Sequence, residues 1–321
     1  MADLNVEFCG LTFKNPIIVS SIEPTHSLEG LKKSIDAGAG GAIVKTLTDM
    51  PQMMNLTRHA KYAILNETGR CIRGKVPRNY VFYSRSGFTY PLYNEWPAAL
   101  REAQEYAQQQ RAHIIASVGA GSPEGWPTIA RTAEDAGVSM LELNFGCMHT
   151  AEVKGASGGI AIGQDPQVAE EITARVVEAV SIPVTVKLTP QKADLVEVAR
   201  RVKAAGAAGV QVTSRYNGFA VDIETSQPYI KGPAGVGGPW IKPVTLRWVY
   251  EIYTRLGMQI AGGNGIFDWR DAIEFIMSGA RVMQVGSVLM LKGYDWIQAV
   301  IDGINTFLDG HEYPDVGAIY G

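Results

Sequence analysis

Three side chains that could carry out proton chemistry fall within six residues of one another: Asn144, Cys147 and His149. They follow residues 140–143, a short stretch typical of a buried strand, and Gly146 permits a tight bend before the thiol. An amide, a thiol and an imidazole at the C-terminal end of a strand are typical of the catalytic face of an α/β barrel. The alternative is that Cys147 is a small buried apolar residue and His149 a solvated loop residue.

Lysines and glycines close several other apolar stretches. Lys45 and Lys187 each end one, and burying an ammonium is costly unless an anion or a hydrogen-bond network accompanies it. The glycine-containing sites 262–265 and 286–287 precede predicted helices, where barrels bind phosphate through backbone N–H groups, and 235–238 could add further donors. The alternatives are that Lys45 reaches solvent, that Lys187 pairs with an unidentified carboxylate in the barrel core, and that the glycines only form turns.

These features together predict an anionic cofactor beside a proton-transferring cysteine. A lysine at the N1–C2 carbonyl edge of a flavin would stabilise the negative charge of the reduced ring. A thiol with a suitable pKa could move a proton at one carbon while the neighbouring carbon exchanges hydride with the flavin. The residues therefore favour flavin redox chemistry on a small molecule.

Eight strand-like stretches alternate with helical ones along the chain. The predicted strands are 17–21, 42–46, 113–118, 139–143, 183–187, 209–213, 258–261 and 282–285. The predicted helices are 28–37, 95–110, 124–136, one from 165, 193–205, one from 241, 269–278 and 291–308. This alternation predicts an α/β protein, a (β/α)8 TIM barrel forming a single domain over 1–321, in which all strands end at one face.

Two segments break the alternation, at about 47–95 and 214–240. The first contains prolines and aromatic residues without a helical period and far exceeds a usual βα loop. We expect both to form elaborated loops over the C-terminal face of the barrel, with strand-like pieces near 79–84. The glycine-rich stretch 150–164 could act as a lid.

The composition excludes several classes of protein. A net charge of −3 over 321 residues gives no general attraction for nucleic acid or anionic membranes. Three cysteines without a CxxC pair argue against a disulfide framework, a zinc site or an iron–sulfur cluster in this chain, so we expect no metal. No apolar run is long enough to span a membrane, and no signal peptide is evident. We expect a reducing, cytoplasmic location.

Several motifs occur in the order of a known family. They are Asn15-Pro16, Lys45-Thr46, Leu143-Asn144-x-x-Cys147, Gly163-Gln164-Asp165-Pro166, Val186-Lys187-Leu188-Thr189-Pro190, Gly237-Gly238-x-x-Ile241-Lys242-Pro243 and the two late glycine sites. From about residue 5 to 310 the chain resembles the FMN-containing catalytic barrel shared by class 1 dihydroorotate dehydrogenases and dihydropyrimidine dehydrogenases. Gly-Gln-Asp-Pro and Cys-x-His favour the dihydropyrimidine dehydrogenase side.

The resemblance implies FMN as the cofactor and Cys147 as the general acid/base, and we count Lys45 with it as catalytic. The residues expected around FMN are Ser20, Ser21, Lys45, Thr46, Ser117, Asn144, Lys187, Thr213, Gly237, Gly238, Gly262, Gly263, Asn264, Gly265, Gly286 and Ser287. The residues expected at the substrate are Asn144, His149, Ser214, Arg215, Ser84 and Arg85. The implied reaction is oxidation or reduction of a carbon–carbon bond next to a carbonyl.

On the substrate side the chain departs from the family. Gly146-Cys147-Met148 stands where the family has Ser-Cys-Pro, Ser214-Arg215 replaces an Asn-Thr or Asn-Ser pair, and 84–86 lacks a pyrimidine-binding asparagine. Asparagine presents paired donor and acceptor atoms to an imide edge, whereas Arg215 and Arg85 would suit a carboxylate or another planar anion. We therefore expect the chemistry to be retained and the substrate to be changed from a pyrimidine; the alternative is that both arginines point outward.

The electron acceptor stays open at this point. Relatives use soluble acceptors such as fumarate or a partner carrying FAD and iron–sulfur clusters, and we expect a homodimer of the chain itself. Two other functions also remain open. One is a lyase or isomerase acting on a phosphorylated substrate, with Lys45 or Lys187 as a Schiff-base amine. The other is a non-catalytic flavin subunit of an electron-transfer complex.

Overall fold

Eight parallel strands close into a barrel in the structure, a computed structural model that describes residues 2–321; residue 1, which the domain prediction includes, lies outside the described residues. The strands are β1 (Ile17–Val19), β2 (Gly41–Leu47), β3 (His113–Val118), β4 (Met140–Asn144), β5 (Val184–Lys187), β6 (Gly209–Val212), β7 (Gln259–Gly263) and β8 (Val282–Val285). Each strand pairs with its neighbours in sequence, and β8 pairs with β1. The predicted (β/α)8 TIM barrel is confirmed.

Helices surround the barrel and connect its strands. The main ones are α1 (Leu28–Asp36), α2 (Pro97–Gln109), α3 (Gly125–Asp135), α4 (Pro166–Ala179), α5 (Leu195–Ala204), α6 (Lys242–Leu256), α7 (Trp269–Met277) and α8 (Asp295–Gly310). Side-chain caps fix the start of several of them: Asp165 accepts hydrogen bonds from the first turn of α4, and Asp194 does the same for α5. The apolar faces of the helices pack on the strands in one continuous core.

The predicted helix 291–308 is wrong in one respect, because the structure contains two helices there. A short helix, Ser287–Lys292, ends at Gly293, and α8 starts at Asp295. Gly293 has φ of +80°, in the left-handed region where a right-handed helix cannot continue. The segment 47–95 also contains a helix that its irregular pattern did not indicate, Pro51–Arg58, which begins with proline in its first turn.

The two long segments that interrupt the alternation meet in one antiparallel sheet. Its strands are Lys61–Leu65, Val81–Arg85, Tyr216–Gly218 and Ala234–Gly237. The central contact joins one segment to the other, since Val236 pairs with Tyr83. This sheet has a small apolar core of its own around the buried Tyr83 and Ile230. Short strands Val6–Phe8 and Leu11–Phe13 form a hairpin ahead of β1, and Val221–Asp222 pairs with Gln227–Pro228.

Two details of the barrel orient side chains toward its C-terminal face. The β2–β3 register shifts between Val44 and Leu47, an irregularity of the kind that re-aims side chains, and Lys45 and Thr46 lie at that point. After β4, the buried ring of Phe145 packs edge-on against Trp126 of α3, with ring centroids 5.3 Å apart. This contact anchors the start of the loop that carries Cys147. No helix within residues 2–321 is both long and apolar enough to cross a membrane.

Phe145→Ala should lower the free energy of unfolding by about 3–5 kcal/mol, because it opens a cavity against Trp126. Urea denaturation would measure the loss. The matched control is Phe219→Ala, whose ring is 58% exposed and whose removal should change stability by less than about 0.5 kcal/mol. Similar losses from both variants would contradict the anchoring role of Phe145.

Candidate functional site

A deep cavity opens at the C-terminal ends of the barrel strands. The space between its walls is about 1220 Å³, a figure that includes solvent at the open mouth. The predicted residues in its wall are Ser20, Ser21, Lys45, Thr46, Asn144, Cys147, His149, Lys187, Thr213, Ser214, Arg215, Gly237, Gly238, Asn264, Gly265, Gly286 and Ser287. The residues predicted for the cofactor and most of those predicted for the substrate therefore line one cavity.

Five predicted residues lie behind or beside this wall. They are Ser84, Arg85, Ser117, Gly262 and Gly263. The Ser117 hydroxyl is buried behind Thr46, 2.9 Å from its hydroxyl oxygen. A side chain at Gly262 would run into Phe275 of α7, so this glycine serves packing of the barrel against its helix. Arg85 forms an ion pair with Glu152, which compensates its charge.

Cys147 lies on the loop after β4, directly after a glycine that lets the loop approach β6. A Cβ at Gly146 would clash with Ser214. The carbonyl of Cys147 accepts hydrogen bonds from Thr150 Oγ1 and Ile160 N, each 2.9 Å away. Burial raises the pKa of the Cys147 thiol, although nearby backbone N–H groups and the positive charges of Arg215 and Lys45 favour the thiolate. The loop thus holds a mostly protonated thiol in the cavity wall.

The Asn144 amide connects three of the wall elements. Its Nδ2 donates to Thr46 Oγ1 over 2.9 Å, and its Oδ1 accepts from Gly146 N over 3.2 Å. The Ser21 hydroxyl lies 3.4 Å from Thr46 Oγ1. The ends of β1, β2 and β4 are therefore joined through side chains as well as through the sheet.

Lys45 pairs with Glu23, a residue that the sequence analysis missed. Lys45 Nζ lies 2.9 Å from Glu23 Oε1. Burial by itself would raise the pKa of Glu23, but the charge of Lys45 outweighs it and holds the pKa well below its usual range. The sequence signal for Glu23 was its position. It follows the last residue of β1 by four residues, and other site residues also stand shortly after the ends of their strands.

Lys187 also has a carboxylate partner, which answers the question that the sequence left open. Lys187 Nζ lies 3.5 Å from Oε1 of the buried Glu142 and 3.4 Å from Ser20 Oγ. Gln284 donates from Nε2 to the other oxygen of Glu142. Glu142 stands two residues before Asn144 on β4, and alternate residues of a strand share a face. A charged residue inside an apolar strand was therefore the signal that could have identified it.

His149 is buried and faces the cavity, with a carboxylate on one side of its ring. Its Nδ1 lies 2.9 Å from Glu152 Oε1, and its Nε2 has no partner within residues 2–321. Burial lowers the pKa of His149, and the hydrogen bonds from Arg85 and His149 keep the pKa of Glu152 low. Arg85 Nη1 also lies 3.2 Å from Nδ1. In the neutral tautomer that donates from Nδ1 to Glu152, Nε2 faces the cavity as an acceptor.

The two late glycine sites form the opposite side of the cavity. Asn264 has φ of +68° and Gly265 of +146°, and a Cβ on Gly265 would lie 2.7 Å from Lys242 Cα. Gly286 precedes the helix Ser287–Lys292, whose first N–H groups have no acceptor within the helix. Asn264 also links to the third glycine site, where its Oδ1 accepts from Gly238 N over 3.4 Å.

The donors around the cavity match the chemistry of a phosphate-bearing flavin. Backbone N–H groups at the glycine sites suit a phosphate, and an ammonium at Lys187 suits the electron-rich edge of the ring. The hydroxyl oxygens of Thr213 and Ser214 are buried without a partner within the described chain. Buried polar atoms normally find a partner, so these two hydroxyls fit a polar ligand in the cavity.

Comparison with known proteins gives one consistent family. The sequence model for dihydroorotate dehydrogenase matches residues 3–308. The catalytic subunit of dihydroorotate dehydrogenase B (NAD(+)) from Methanosarcina acetivorans is 31% identical over 314 residues, which cover 97% of this chain and 93% of that protein. The subunits of the same name from Pyrococcus furiosus and Methanothermobacter thermautotrophicus are 30% and 29% identical and cover 98% and 97% of their own lengths, with 99% of this chain in each case.

Glu142→Ala should destabilise the protein by roughly 3–5 kcal/mol, because it leaves Lys187 in the barrel without its counter-charge. The double variant Glu142→Leu with Lys187→Met removes both charges and should recover most of that loss. Urea unfolding would give the three free energies. Glu171→Gln breaks an exposed pair with Arg175 and should cost less than about 1 kcal/mol; a loss from Glu142→Ala no larger than this would contradict the pairing.

Proposed function

Because the chain belongs to the FMN-dependent class 1 dihydroorotate dehydrogenase family of oxidoreductases acting on CH–CH donors, we propose that it oxidises or reduces a carbon–carbon bond next to a carbonyl, with Cys147 as its general acid/base. The observation that supports the proposal is one cavity at the barrel mouth that gathers the thiol, the two lysines that pair with carboxylates and both late glycine sites.

We propose that two groups of residues hold FMN. Lys187, kept charged and oriented by Glu142, would serve the ring, together with Ser20, Asn144 and Thr213. The backbone at 237–238, 264–265 and 286–287 would bind the phosphate. When bound, FMN supplies hydride transfer at one carbon of the substrate bond.

The proton at the neighbouring carbon is the task of Cys147. In the oxidising direction the sulfur takes this proton as thiolate, and in the reducing direction the thiol returns it. The positive charges of Lys45 and Arg215 favour the thiolate when it forms. Ser214, Arg215 and the acceptor Nε2 of His149 would bind the substrate's polar edge, with Asn144 serving both molecules.

Neither the structure nor the relatives support the two alternative functions that the sequence left open. A Schiff-base mechanism needs a neutral amine, whereas Lys45 and Lys187 each pair with a carboxylate. The relatives' names describe catalytic subunits of an oxidoreductase. The non-redox lyase or isomerase and the non-catalytic flavin subunit are therefore set aside.

The relatives' names also imply that another subunit completes their enzyme, with NAD(+) as the electron acceptor. We propose the same division for this chain: a single catalytic domain, a homodimer, and a separate subunit that carries FAD and an iron–sulfur cluster. The three cysteines are free and are spread among buried and exposed positions, which is compatible with a reducing cytoplasm.

Cys147→Ala should leave FMN bound and lower kcat by about 10²–10⁴-fold, because it removes the proton-transfer group. Anaerobic stopped-flow absorbance at the flavin band would measure the reaction. The matched control is Cys71→Ala, which changes an exposed cysteine outside the cavity wall and should leave the rate unchanged. Equal rates for both variants would contradict the role of Cys147.

The rate of substrate oxidation should rise with pH, with its half-point above the ordinary thiol pKa of about 8.5. The sign follows because only the thiolate accepts the proton, and burial raises the pKa of Cys147. A pH profile of kcat/KM for the wild type and Cys147→Ala would test this. A rise that persists in the variant would assign the ionisation to another group.

The purified chain, once reduced by its substrate, should pass electrons to an artificial dye and not to NAD(+). The physical reason is that electrons would reach the nicotinamide only through the FAD and the iron–sulfur cluster of the proposed partner. Absorbance at 340 nm would follow NADH formation, with dye reduction as the positive control. NADH formation by this chain alone would remove the need for the partner.

A further inference from the structure

Glu23 presents a carboxylate to the cavity on the same side as Lys45. It begins the 3-10 helix Glu23–His26 that follows β1, and it lines the cavity wall. The side chain of Glu23 is 26% exposed and that of Lys45 only 6%. The carboxylate is therefore the more accessible charge of this pair, and a ligand meets it before it meets the ammonium.

The surroundings keep this carboxylate ionised. Burial opposes the charge, but Lys45, a hydrogen bond from Ser86 and, more weakly, the charge of Arg215 hold the pKa of Glu23 well below its usual range. The Tyr62 hydroxyl donates to Glu23 from outside the cavity wall, and burial together with the charge of Glu23 and this hydrogen bond raises the pKa of Tyr62. Glu23 thus faces the cavity as a hydrogen-bond acceptor that cannot donate.

The cations of the cavity wall are mostly compensated. Within the described residues that line it, the lysines are Lys45 and Lys187, and each has its own carboxylate. Arg215 also lines the cavity and its charge acts weakly on Glu23, and one of its guanidinium nitrogens donates to Ser84 Oγ. A Cβ at Gly235 would lie 2.9 Å from Arg215 Cζ, so the absence of a side chain there lets the guanidinium lie flat against the sheet.

We propose that Glu23 makes the site selective for a neutral ring carrying an N–H next to a carbonyl, and selective against the same ring carrying a carboxylate. This proposal replaces the expectation from the sequence of an anionic, non-pyrimidine substrate, because Arg85 is paired with Glu152 and Glu23 adds a negative charge beside Lys45. This inference rests on the function proposed above. Glu23 would accept the N–H, and Arg215 would donate to the adjacent carbonyl oxygen. The two side chains together offer the acceptor and the donor that an asparagine amide offers in one group.

A carboxylate on the ring meets an unfavourable environment at the same position. To reach Lys45 it must displace Glu23, which leaves that carboxylate without its partner, or it must lie beside Glu23 as a like charge. A neutral N–H meets neither penalty, and its hydrogen bond to an ionised acceptor is stronger than one to a neutral acceptor. The Lys45–Glu23 pair therefore discriminates between cyclic amides or ureides and their carboxylated analogues.

Binding of two planar rings to the FMN-loaded protein tests this without turnover. Uracil and orotate differ by one carboxylate, and the perturbation of the flavin absorbance on titration would give both Kd values. The wild type should bind uracil at least tenfold more tightly than orotate. Glu23→Gln, which keeps the size and removes the charge, should lower this preference at least tenfold through tighter binding of orotate.

Two control variants separate the charge from other effects. Glu23→Asp keeps the negative charge and should keep the preference for uracil. Glu171→Gln removes an exposed carboxylate that pairs with Arg175 outside the cavity wall and should leave the ratio of the two Kd values unchanged. The FMN content of each variant would show that the cavity is intact.

The wild type can overturn the proposal even if the variants do not fold: it would be refuted if orotate bound as tightly as uracil, or if neither ring bound. An unchanged ratio of the two Kd values in FMN-loaded Glu23→Gln would also refute it. Reduction of the flavin by the corresponding dihydro compounds is a separate measurement. Selective binding of uracil without reduction of the flavin would refute the proposed oxidoreductase function, and it would still support the proposed selectivity of Glu23.

Discussion

A positive charge inside a barrel is tolerated only where a negative charge or a set of acceptors accompanies it, and this requirement organises the site. Lys187 is held between Glu142, Gln284 and Ser20, so side chains from four strand ends are arranged around one ammonium. The desolvation of two buried charges is offset only when the geometry is good and the remaining hydrogen-bonding atoms are satisfied. Compensation of the Lys187 charge therefore depends on the positions of β1, β4, β5 and β8 relative to one another.

Much of the barrel could be predicted from the sequence because its determinants are local. Apolar stretches of strand length alternate with amphipathic stretches of helix length, and this alternation is visible without any knowledge of contacts. The strand ends then place residues such as Asn144 and Gly286 at one face. The division of the predicted helix at Gly293 was less visible, because a glycine inside a helical pattern is a terminator only if the chain adopts the left-handed conformation there.

The partners of the lysines could not be predicted, because they depend on the register between strands. Asn144 faces Lys187 across β4 and β5, which brings Glu142, two residues earlier, within reach of the ammonium. Nothing in the stretch 140–144 by itself specifies that neighbour. Glu23 was missed for a related reason: its importance appears only when Lys45 is seen to lie 2.9 Å away. The placement of Arg85 against Glu152 likewise depends on two segments far apart in sequence.

The small sheet over the barrel joins strands from two separate insertions, with Gly235, Val236 and Gly237 paired to Ser84, Tyr83 and Phe82. Arg215 of one insertion also donates to Ser84 of the other. The two insertions therefore form one structural unit, although more than a hundred residues of barrel separate them in the chain. In evolution, and in the laboratory, neither insertion can be exchanged for that of a relative without matching changes in the other. New specificities on this scaffold would accordingly be acquired through paired replacements.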